Sequence, residues 1–231
     1  MTGSSIRWHV HDRDADVLAA ALAALTAHAA DALSARGRFT IVLSGGATPR
    51  PLYTAAAALE TDWDRWEFFF GDERCVPVGD SERNDRLARE AWLDRVPVRP
   101  EQIHSIPAEL GPDEGAARYR AVLADVGPFD LVVLGCGSDG HTASLFPGRP
   151  LGSEPDAPDA LGVRDAPKPP PERVTLSAAR LKRTRGALLL VLGEGKRDAL
   201  AAVRAGADLP VRAVVGPSGL DVYADRAAAG R

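Results

Sequence analysis

Four runs of apolar residues recur along the chain, and each leads directly into a polar segment that contains glycine. The runs are FTIVL (39–43), WEFFF (66–70), FDLVVLG (129–135) and ALLLVLG (187–193), and the polar segments are SGGATPR, GDER, GCGSDGH and GEGK. Strands that are apolar throughout are buried on both faces, as in a parallel sheet covered by helices. Because helical patterns of about three turns alternate with these runs, we predict an α/β fold with a Rossmann-like, doubly wound, mostly parallel sheet and helices on both of its faces.

The other elements are predicted from helix and strand signals. Helices are expected over 17–36, from Pro49 onward with Thr48 as N-cap, and over 84–96, 113–125 and 195–205; strands are expected over 103–106, over 173–176 and in DVYAD near residue 223. Ser177 is expected to cap a short helix after the strand at 173–176. Residues 147–172, rich in Pro, Gly and Asp, are predicted to form a long irregular loop. We expect residues 1–231 to form a single domain.

The hydrophobic content of 45% is typical of a globular protein. A formal net charge of −4 argues against nucleic-acid and anionic-membrane partners, and no apolar run approaches the roughly 20 residues of a membrane span. The N-terminus lacks a signal-peptide pattern, and Cys75 and Cys136 form no C-x-x-C motif, so we expect a cytoplasmic protein. The five histidines show no metal-ligand spacing. We expect a monomer or a weak homo-oligomer.

Two of the polar segments are candidates for binding an anion. In SGGATPR, adjacent glycines let backbone N–H groups converge ahead of a helix, so Ser44, Gly45, Gly46 and Thr48 can cradle a phosphate. An ordinary tight turn between strand and helix favours the same residues. In GEGKRDAL, Lys196 is predicted in the first turn of a helix, where a cation is unfavourable unless it faces an anion. A solvated surface lysine is the alternative.

The GDER segment places three charged residues directly after a buried strand. A charge at such a position costs desolvation energy unless it is paired or used. Asp72 or Glu73 can orient a ligand hydroxyl or a catalytic group, and Arg74 can bind an oxyanion or phosphate. An internal ion pair that closes the turn is the alternative. Asn84 is either a ligand contact or the cap of the following helix.

The segment GCGSDGH satisfies the G-x-G-x-x-G spacing of a dinucleotide-binding turn, but its context does not. That fingerprint needs a helix and then a second strand ending in an acid, whereas Pro147 stops any helix and a proline-rich stretch follows. A histidine at a flexible strand end has a pKa suited to general-base catalysis. We therefore interpret His141 as a candidate base and Asp139 as its orienting partner, against the alternative of a structural histidine. Neither cysteine has a histidine partner nearby in the sequence, so covalent catalysis is not expected.

Taken together, six segments resemble the 6-phosphogluconolactonase family. They are SGGATPRPLY, FFFGDERCVP, RNDRLAR, FDLVVLGCGSDGHTASLFPG, PPPERVTLS and VLGEGKRDAL, and they run in the family's order from about residue 40 to 205. The resemblance implies an α/β fold similar to that of the glucosamine-6-phosphate deaminases. Those deaminases carry a DGHIAFNEP-like loop with glutamate before the proline, where this chain has Phe146. Cys136 and the SERNDR segment depart from the family's usual pattern, and the second departure bears on the placement of Asn84.

The resemblance implies hydrolysis of 6-phospho-D-glucono-1,5-lactone to 6-phospho-D-gluconate, a step of the oxidative pentose phosphate pathway, without cofactor or metal. His141 would activate the attacking water, and Asp139 or Asp72 would orient the imidazole or the sugar hydroxyls. Arg74, or backbone N–H groups around Gly137, would stabilise the oxyanion. The residues expected at the 6-phosphate are Ser44, Gly45, Gly46, Thr48 and Lys196, with Arg173 as a further candidate. The alternatives are a deaminase acting on an amino-sugar phosphate and, ranked below it, a non-catalytic sugar-phosphate sensor.

Overall fold

The computed structural model describes residues 5–230, which contain ten strands and eight α-helices. The strands are β1 (Ile6–His11), β2 (Phe39–Leu43), β3 (Trp66–Phe70), β4 (Asp72–Arg74), β5 (Ile103–His104), β6 (Leu131–Gly135), β7 (Ala160–Val163), β8 (Arg173–Leu176), β9 (Ala187–Val191) and β10 (Leu220–Asp225). The helices are α1 (Asp14–Arg36), α2 (Arg50–Ala56), α3 (Asn84–Ala91), α4 (Pro112–Leu123), α5 (Ala178–Lys182), α6 (Arg197–Ala205), α7 (Pro210–Ala213) and α8 (Arg226–Ala229).

Seven strands form the main sheet, in the order β1-β10-β9-β6-β2-β3-β5. Every pairing in it is parallel. From β2 the chain first adds β3 and β5 on one side and later places β6, β9 and β10 on the other, so the winding direction reverses between β2 and β6. Ligands of open α/β sheets bind outside the carboxyl ends of the strands at this switch point. The α/β prediction with a mostly parallel sheet is confirmed.

The strands predicted from apolar runs are buried on both faces. All residues of β2 and β9 are buried, and β3 and β6 each have one partly exposed residue. This explains why they are apolar throughout and not alternating. Strand β1 has no such run, and the sequence analysis did not predict it. Its residues are partly exposed because it forms the edge of the sheet beside β10.

Helix α1 begins three residues before the predicted start and ends as predicted at Gly37. Gly37 has φ 70° and donates its N–H to the carbonyl of Leu33, a left-handed end that favours glycine. The residues of its buried stripe are Val17, Ala21, Leu25, Ala29 and Ala32. By length and composition alone α1 would also be long and apolar enough to cross a membrane. In this fold its stripe joins the core beside the sheet, as in a helix of a globular protein.

A second, antiparallel sheet of three strands, β4-β8-β7, adjoins the end of β3. It corrects the prediction of an irregular loop over 147–172, because β7 occupies residues 160–163. The sequence ALGV is too short and too exposed to signal a strand by itself. This strand is stabilised by its antiparallel pairing with β8, in which Gly162 lies opposite Val174.

Several predicted boundaries also change. Thr48 does not cap α2, which begins at Arg50 with Pro49 in the N-cap position and no side-chain cap. The helix expected over 84–96 ends at residue 91 and continues as a short 3-10 turn at 93–95. Ser177 does cap α5, since its Oγ accepts the N–H of Arg180 at 3.1 Å.

Candidate active site

The carboxyl ends of β2, β3, β6 and β9 converge on a cavity of about 420 Å³. This volume lies within the range of small-molecule sites. Its lining includes eleven of the twelve predicted site residues: Ser44, Gly45, Gly46, Thr48, Asp72, Arg74, Asn84, Gly137, His141, Arg173 and Lys196. The twelfth, Asp139, does not line the cavity but contacts His141, which does. Segments that are far apart in the sequence are therefore brought together as the sheet topology requires.

His141 and Asp139 form a close pair at the end of β6. The Nδ1 atom of His141 lies 2.5 Å from Oδ1 of Asp139, which also accepts the backbone N–H of His141 at 3.3 Å. Burial lowers the pKa of His141 below its usual value, although the carboxylate opposes this effect. Burial would raise the pKa of Asp139, but hydrogen bonding to His141 and the histidine charge lower it. At neutral pH the pair therefore consists of a neutral imidazole and a carboxylate, so His141 can accept a proton.

Glycine at two positions makes room for site side chains. A Cβ at Gly137 would lie 2.0 Å from Nδ1 of His141, and a Cβ at Gly45 would lie 1.7 Å from Oδ1 of Asn84. Neither contact is possible, so any larger residue would displace the histidine or the asparagine. The N–H of Gly137 donates to the carbonyl of His141 at 2.8 Å. This N–H is therefore already engaged and is not free to bind an oxyanion, while the same role for the other backbone N–H groups around Gly137 stays a prediction.

Asp72 is held by two side chains on the wall of the cavity. Its Oδ2 accepts the hydroxyl of Ser144 at 2.6 Å, and its Oδ1 accepts an N–H of the Asn84 side chain at 3.1 Å. Since Asn84 contacts Asp72 and the cap position of α3 belongs to Arg83, the alternative of a capping asparagine is wrong. Asp139, and not Asp72, makes the direct contact with His141. The sequence analysis did not single out Ser144, although it follows His141 by three residues in DGHTAS.

Glu73 is fully buried next to the site and joins β4 to the start of α3. Its carboxyl group accepts the backbone N–H groups of Arg74 and Asn84, each at 2.8 Å, and of Asp85 at 2.9 Å. The Nε atom of Arg83 lies 3.8 Å away. Burial raises the pKa of Glu73 to about 7, against the opposing effect of the three N–H donors. Glu73 thus contacts backbone N–H groups inside the fold, and the ion pair within GDER that was the alternative does not form, since Asp72 contacts Ser144 and Asn84 while Arg74 contacts Glu82.

Tyr53 holds the start of the SGGATPR loop through two hydrogen bonds to Ser44. The Tyr53 hydroxyl accepts the N–H of Ser44 at 2.9 Å and donates to the carbonyl of Ser44 at 2.8 Å. The Ser44 Oγ is buried and makes no hydrogen bond within residues 5–230. Lys196 lies in the N-cap position of α6, one residue ahead of the predicted first turn. Both groups line the same cavity, as the prediction of a shared anion requires.

A lysine that the sequence analysis missed, Lys168, also lines the cavity. Its Nζ lies 3.8 Å from Oδ1 of Asp139. The signal for it in the sequence was its isolation among prolines in APKPPPERV, which places a polar side chain in a segment with little backbone freedom. With Arg74, Arg173 and Lys196, it makes four cations around one cavity, an arrangement that favours an anionic ligand.

Arg173 is placed differently from the other cations. Its side chain is only 4% exposed. The Nε atom donates to the carbonyl of Pro170 at 3.0 Å, and Nη2 donates to those of Lys168 and Pro169 at 3.0 and 3.2 Å. The Nη1 atom points to the Ser144 hydroxyl at 3.4 Å. Most of its donors therefore serve the backbone of the preceding segment.

Cysteine and metal chemistry find little support in the geometry. Cys136 lines the cavity and Cys75 lies near the GDER segment, but burial raises the pKa of each thiol to about 11. Both are therefore protonated and poor nucleophiles at neutral pH. Across residues 5–230, no three His, Cys, Asp or Glu side chains are grouped as a metal site would need.

A smaller cavity of about 220 Å³ lies at the opposite, amino ends of the strands. Most of its charged side chains pair with one another. Asp130 binds Arg36 at 2.7 Å, and His104 binds Glu67 at 2.5 Å. This internal neutralisation contrasts with the four cations at the carboxyl ends and favours the larger cavity as the functional one.

Comparison with known proteins gives a consistent result. Residues 12–223 match the family model described as glucosamine-6-phosphate isomerases/6-phosphogluconolactonase. The 6-phosphogluconolactonase of Mycobacterium tuberculosis is 39% identical over 236 residues, spanning 94% of this chain and 95% of that protein. The one from Synechocystis is 40% identical over 189 residues, spanning 78% and 77%.

Solved structures agree in fold. The 6-phosphogluconolactonase from Trypanosoma brucei has a TM-score of 0.85 at 25% identity, with 99% of both chains covered. A monomeric glucosamine-6-phosphate deaminase has a TM-score of 0.81 at 19% identity, with 97% of this chain and 99% of the deaminase covered. At that identity the second likeness shows the fold alone.

Proposed function

The chain belongs to the family of glucosamine-6-phosphate isomerases and 6-phosphogluconolactonases, and we propose that it hydrolyses 6-phospho-D-glucono-1,5-lactone to 6-phospho-D-gluconate. The observation that carries this proposal is that His141, paired with Asp139, lines a cavity that four cationic side chains also line. A neutral imidazole can activate water, and the cations suit a substrate that carries a phosphate. The single domain, cytoplasmic location and monomeric or weakly associated state expected from the sequence stay predictions.

In the proposed mechanism His141 is the general base. As water attacks the C1 carbonyl, its proton passes to Nε2 of His141, and the carbonyl oxygen becomes an oxyanion. The tetrahedral intermediate then collapses with cleavage of the bond between C1 and the ring oxygen. The imidazolium returns its proton to that oxygen, which leaves an open-chain acid. A general base of this kind contributes about 10²–10⁴-fold to the rate.

Asp139 supports the base in this scheme. Its contact with Nδ1 fixes the tautomer in which Nε2 is free to accept a proton, and its charge stabilises the imidazolium that forms. Asp72, held by Ser144 and Asn84, is placed to accept hydrogen bonds from the sugar hydroxyls. Because the Gly137 N–H is engaged, we assign the oxyanion to Arg74, a contribution of roughly 3–4 kcal/mol per donor in other enzymes.

The 6-phosphate is assigned to the opposite side of the cavity. The groups proposed to bind it are the Ser44 hydroxyl, the loop of Gly45, Gly46 and Thr48, and Lys196. The unpartnered Ser44 Oγ supports this assignment, because a buried hydroxyl without a partner is costly unless a ligand completes it.

Phe146 argues against the deaminase reaction. In the resemblance described above, deaminases carry glutamate at this place. Here Phe146 is buried, and its ring centroid lies 4.8 Å from that of His141. The ring fills the space beside the base, so a hydrolase needing a single base fits this site better than a deaminase needing an added carboxylate.

The test is a direct assay of lactone loss. The lactone is generated in place, and its disappearance is followed within seconds, above the spontaneous rate. We expect His141→Ala to remove the acceleration, while His104→Ala, a matched histidine at the far end of the sheet, should retain it. Full activity in His141→Ala would exclude His141 as the base. Release of ammonia from glucosamine 6-phosphate would favour the deaminase reaction instead.

The phosphate assignment has its own test. We expect Lys196→Ala to raise KM for the phosphorylated lactone much more than it lowers kcat. The same variant should behave like the wild type with unphosphorylated gluconolactone. An equal loss with both substrates would show that Lys196 does not bind the phosphate.

A further inference from the structure

Residues 167–171 form a segment with few backbone hydrogen-bond donors of its own. Four of the five are proline, so Lys168 has the only backbone N–H in the segment. Only its ends are held by backbone hydrogen bonds: Ala166 N–H donates across the segment to the Pro171 carbonyl at 2.9 Å, and Cys75 N–H donates to the Glu172 carbonyl at 3.0 Å. The carbonyls in between need donors from a side chain.

Arg173 supplies those donors. Three consecutive carbonyls, those of Lys168, Pro169 and Pro170, accept from its guanidinium at 3.0–3.2 Å. A planar guanidinium can reach several acceptors at fixed angles, which a lysine ammonium cannot reproduce. The guanidinium itself is fixed from the other side by the Ser144 hydroxyl at 3.4 Å and lies over the Phe146 ring. The segment is therefore attached to the rigid wall of the site.

The consequence falls on Lys168, whose ammonium group lies at the cavity beside Asp139. We propose that Arg173 is a positioning residue that holds Lys168 at the mouth of the site, where the lysine attracts the anionic sugar phosphate and faces Asp139. This inference rests on the proposed function. It gives Arg173 a different task from the direct phosphate contact expected from the sequence.

A double-mutant cycle tests the coupling. The variants are Lys168→Ala, Arg173→Lys and the combination, and each is titrated calorimetrically with 6-phosphogluconate. Arg173→Lys keeps the buried positive charge but loses the planar guanidinium that reaches several carbonyls. It therefore separates the positioning of Lys168 from the effect of the charge of Arg173. We expect each single variant to weaken binding about tenfold, the size of one lost contact to a charged group. In the Lys168→Ala background, Arg173→Lys should change the affinity by less than about twofold.

The other outcomes are equally clear. Equal weakening by Arg173→Lys in both backgrounds would overturn the inference, because Arg173 would then act without Lys168. Arg173→Gln, which keeps one carbonyl contact, replaces Arg173→Lys if thermal unfolding shows that the lysine variant is not folded.

Turnover is measured beside binding in every variant. The inference expects the loss to appear mainly in KM, whereas a general structural defect would lower kcat as well. Binding of 6-phosphogluconate without lactone turnover by the wild type would refute the proposed function and still leave the cycle interpretable. No binding by the wild type would refute both.

Discussion

Replacing Glu73 by glutamine tests how the fold accommodates a buried carboxyl group beside its candidate site. Burial raises the pKa of Glu73 to about 7, whereas the usual value is 4.5. Between these pH values the unfolded chain has lost the proton and the folded chain still holds it. The free energy of unfolding of the wild type therefore falls as the pH rises through this range, and glutamine, which does not titrate there, should abolish that part of the fall.

The size of the effect follows from the two pKa values. A difference of about 2.5 between them corresponds to about 3 kcal/mol, at 1.36 kcal/mol for each pH unit. About 2.5 kcal/mol of this change in the free energy of unfolding occurs between pH 5 and pH 8. The group is fully buried, so screening by solvent reduces the figure little.

Urea unfolding of the wild type and of Glu73→Gln across pH 5–8 measures it. Subtracting one curve from the other removes the contributions of groups that titrate in both proteins. We expect the difference to move by about 2.5 kcal/mol in favour of the glutamine variant as the pH rises. Parallel curves would refute the reasoning, because the three backbone N–H donors and Arg83 would then outweigh desolvation.

Three further substitutions test single contacts of the site. Asp139→Asn should lower kcat/KM about 10²-fold or more. It should also move the acid limb of the pH–rate profile to lower pH, because the Asp139 carboxylate raises the pKa of His141. An acid limb at the wild-type pH would contradict this. Gly137→Ala should abolish most turnover, because its Cβ would lie 2.0 Å from the imidazole, and wild-type kcat would contradict the packing described. Tyr53→Phe should reduce the free energy of unfolding by about 1–3 kcal/mol in urea, since both backbone groups of Ser44 lose a partner. An unchanged urea midpoint would mean that water replaces the hydroxyl.

The central strands could be predicted because a strand buried on both faces is apolar throughout, and such a run of residues is visible in the sequence. Strand β7 and the edge strand β1 leave no such trace, since their pairing with β8 and β10 depends on distant residues. Most of the site could be predicted for a related reason, because in a parallel sheet the carboxyl ends of the strands meet at one edge.

The contacts that were missed are those between distant segments. The Asp72–Ser144 hydrogen bond spans 72 residues, and Lys168 reaches Asp139 from a segment that had been predicted to be irregular. The contacts of Arg173 and Glu73 were missed for a different reason, since they join residues only one to twelve positions apart. Nothing in their local sequence shows that their charges are directed at backbone groups.

The pairing of β1 with β10 has a consequence for how the chain is made. These strands are neighbours at one edge of the sheet but are its first and last strands in chain order. Arg7 lies opposite Asp221, 214 residues later. During synthesis β1 emerges from the ribosome before the other strands of this sheet, and β10, its partner within residues 5–230, emerges after them. Contacts of such long range slow folding, and an unpaired strand can join another chain. Strand β1 therefore stays unpaired until the other six strands of the main sheet have been made, and losing β10 would also leave β1 unpaired.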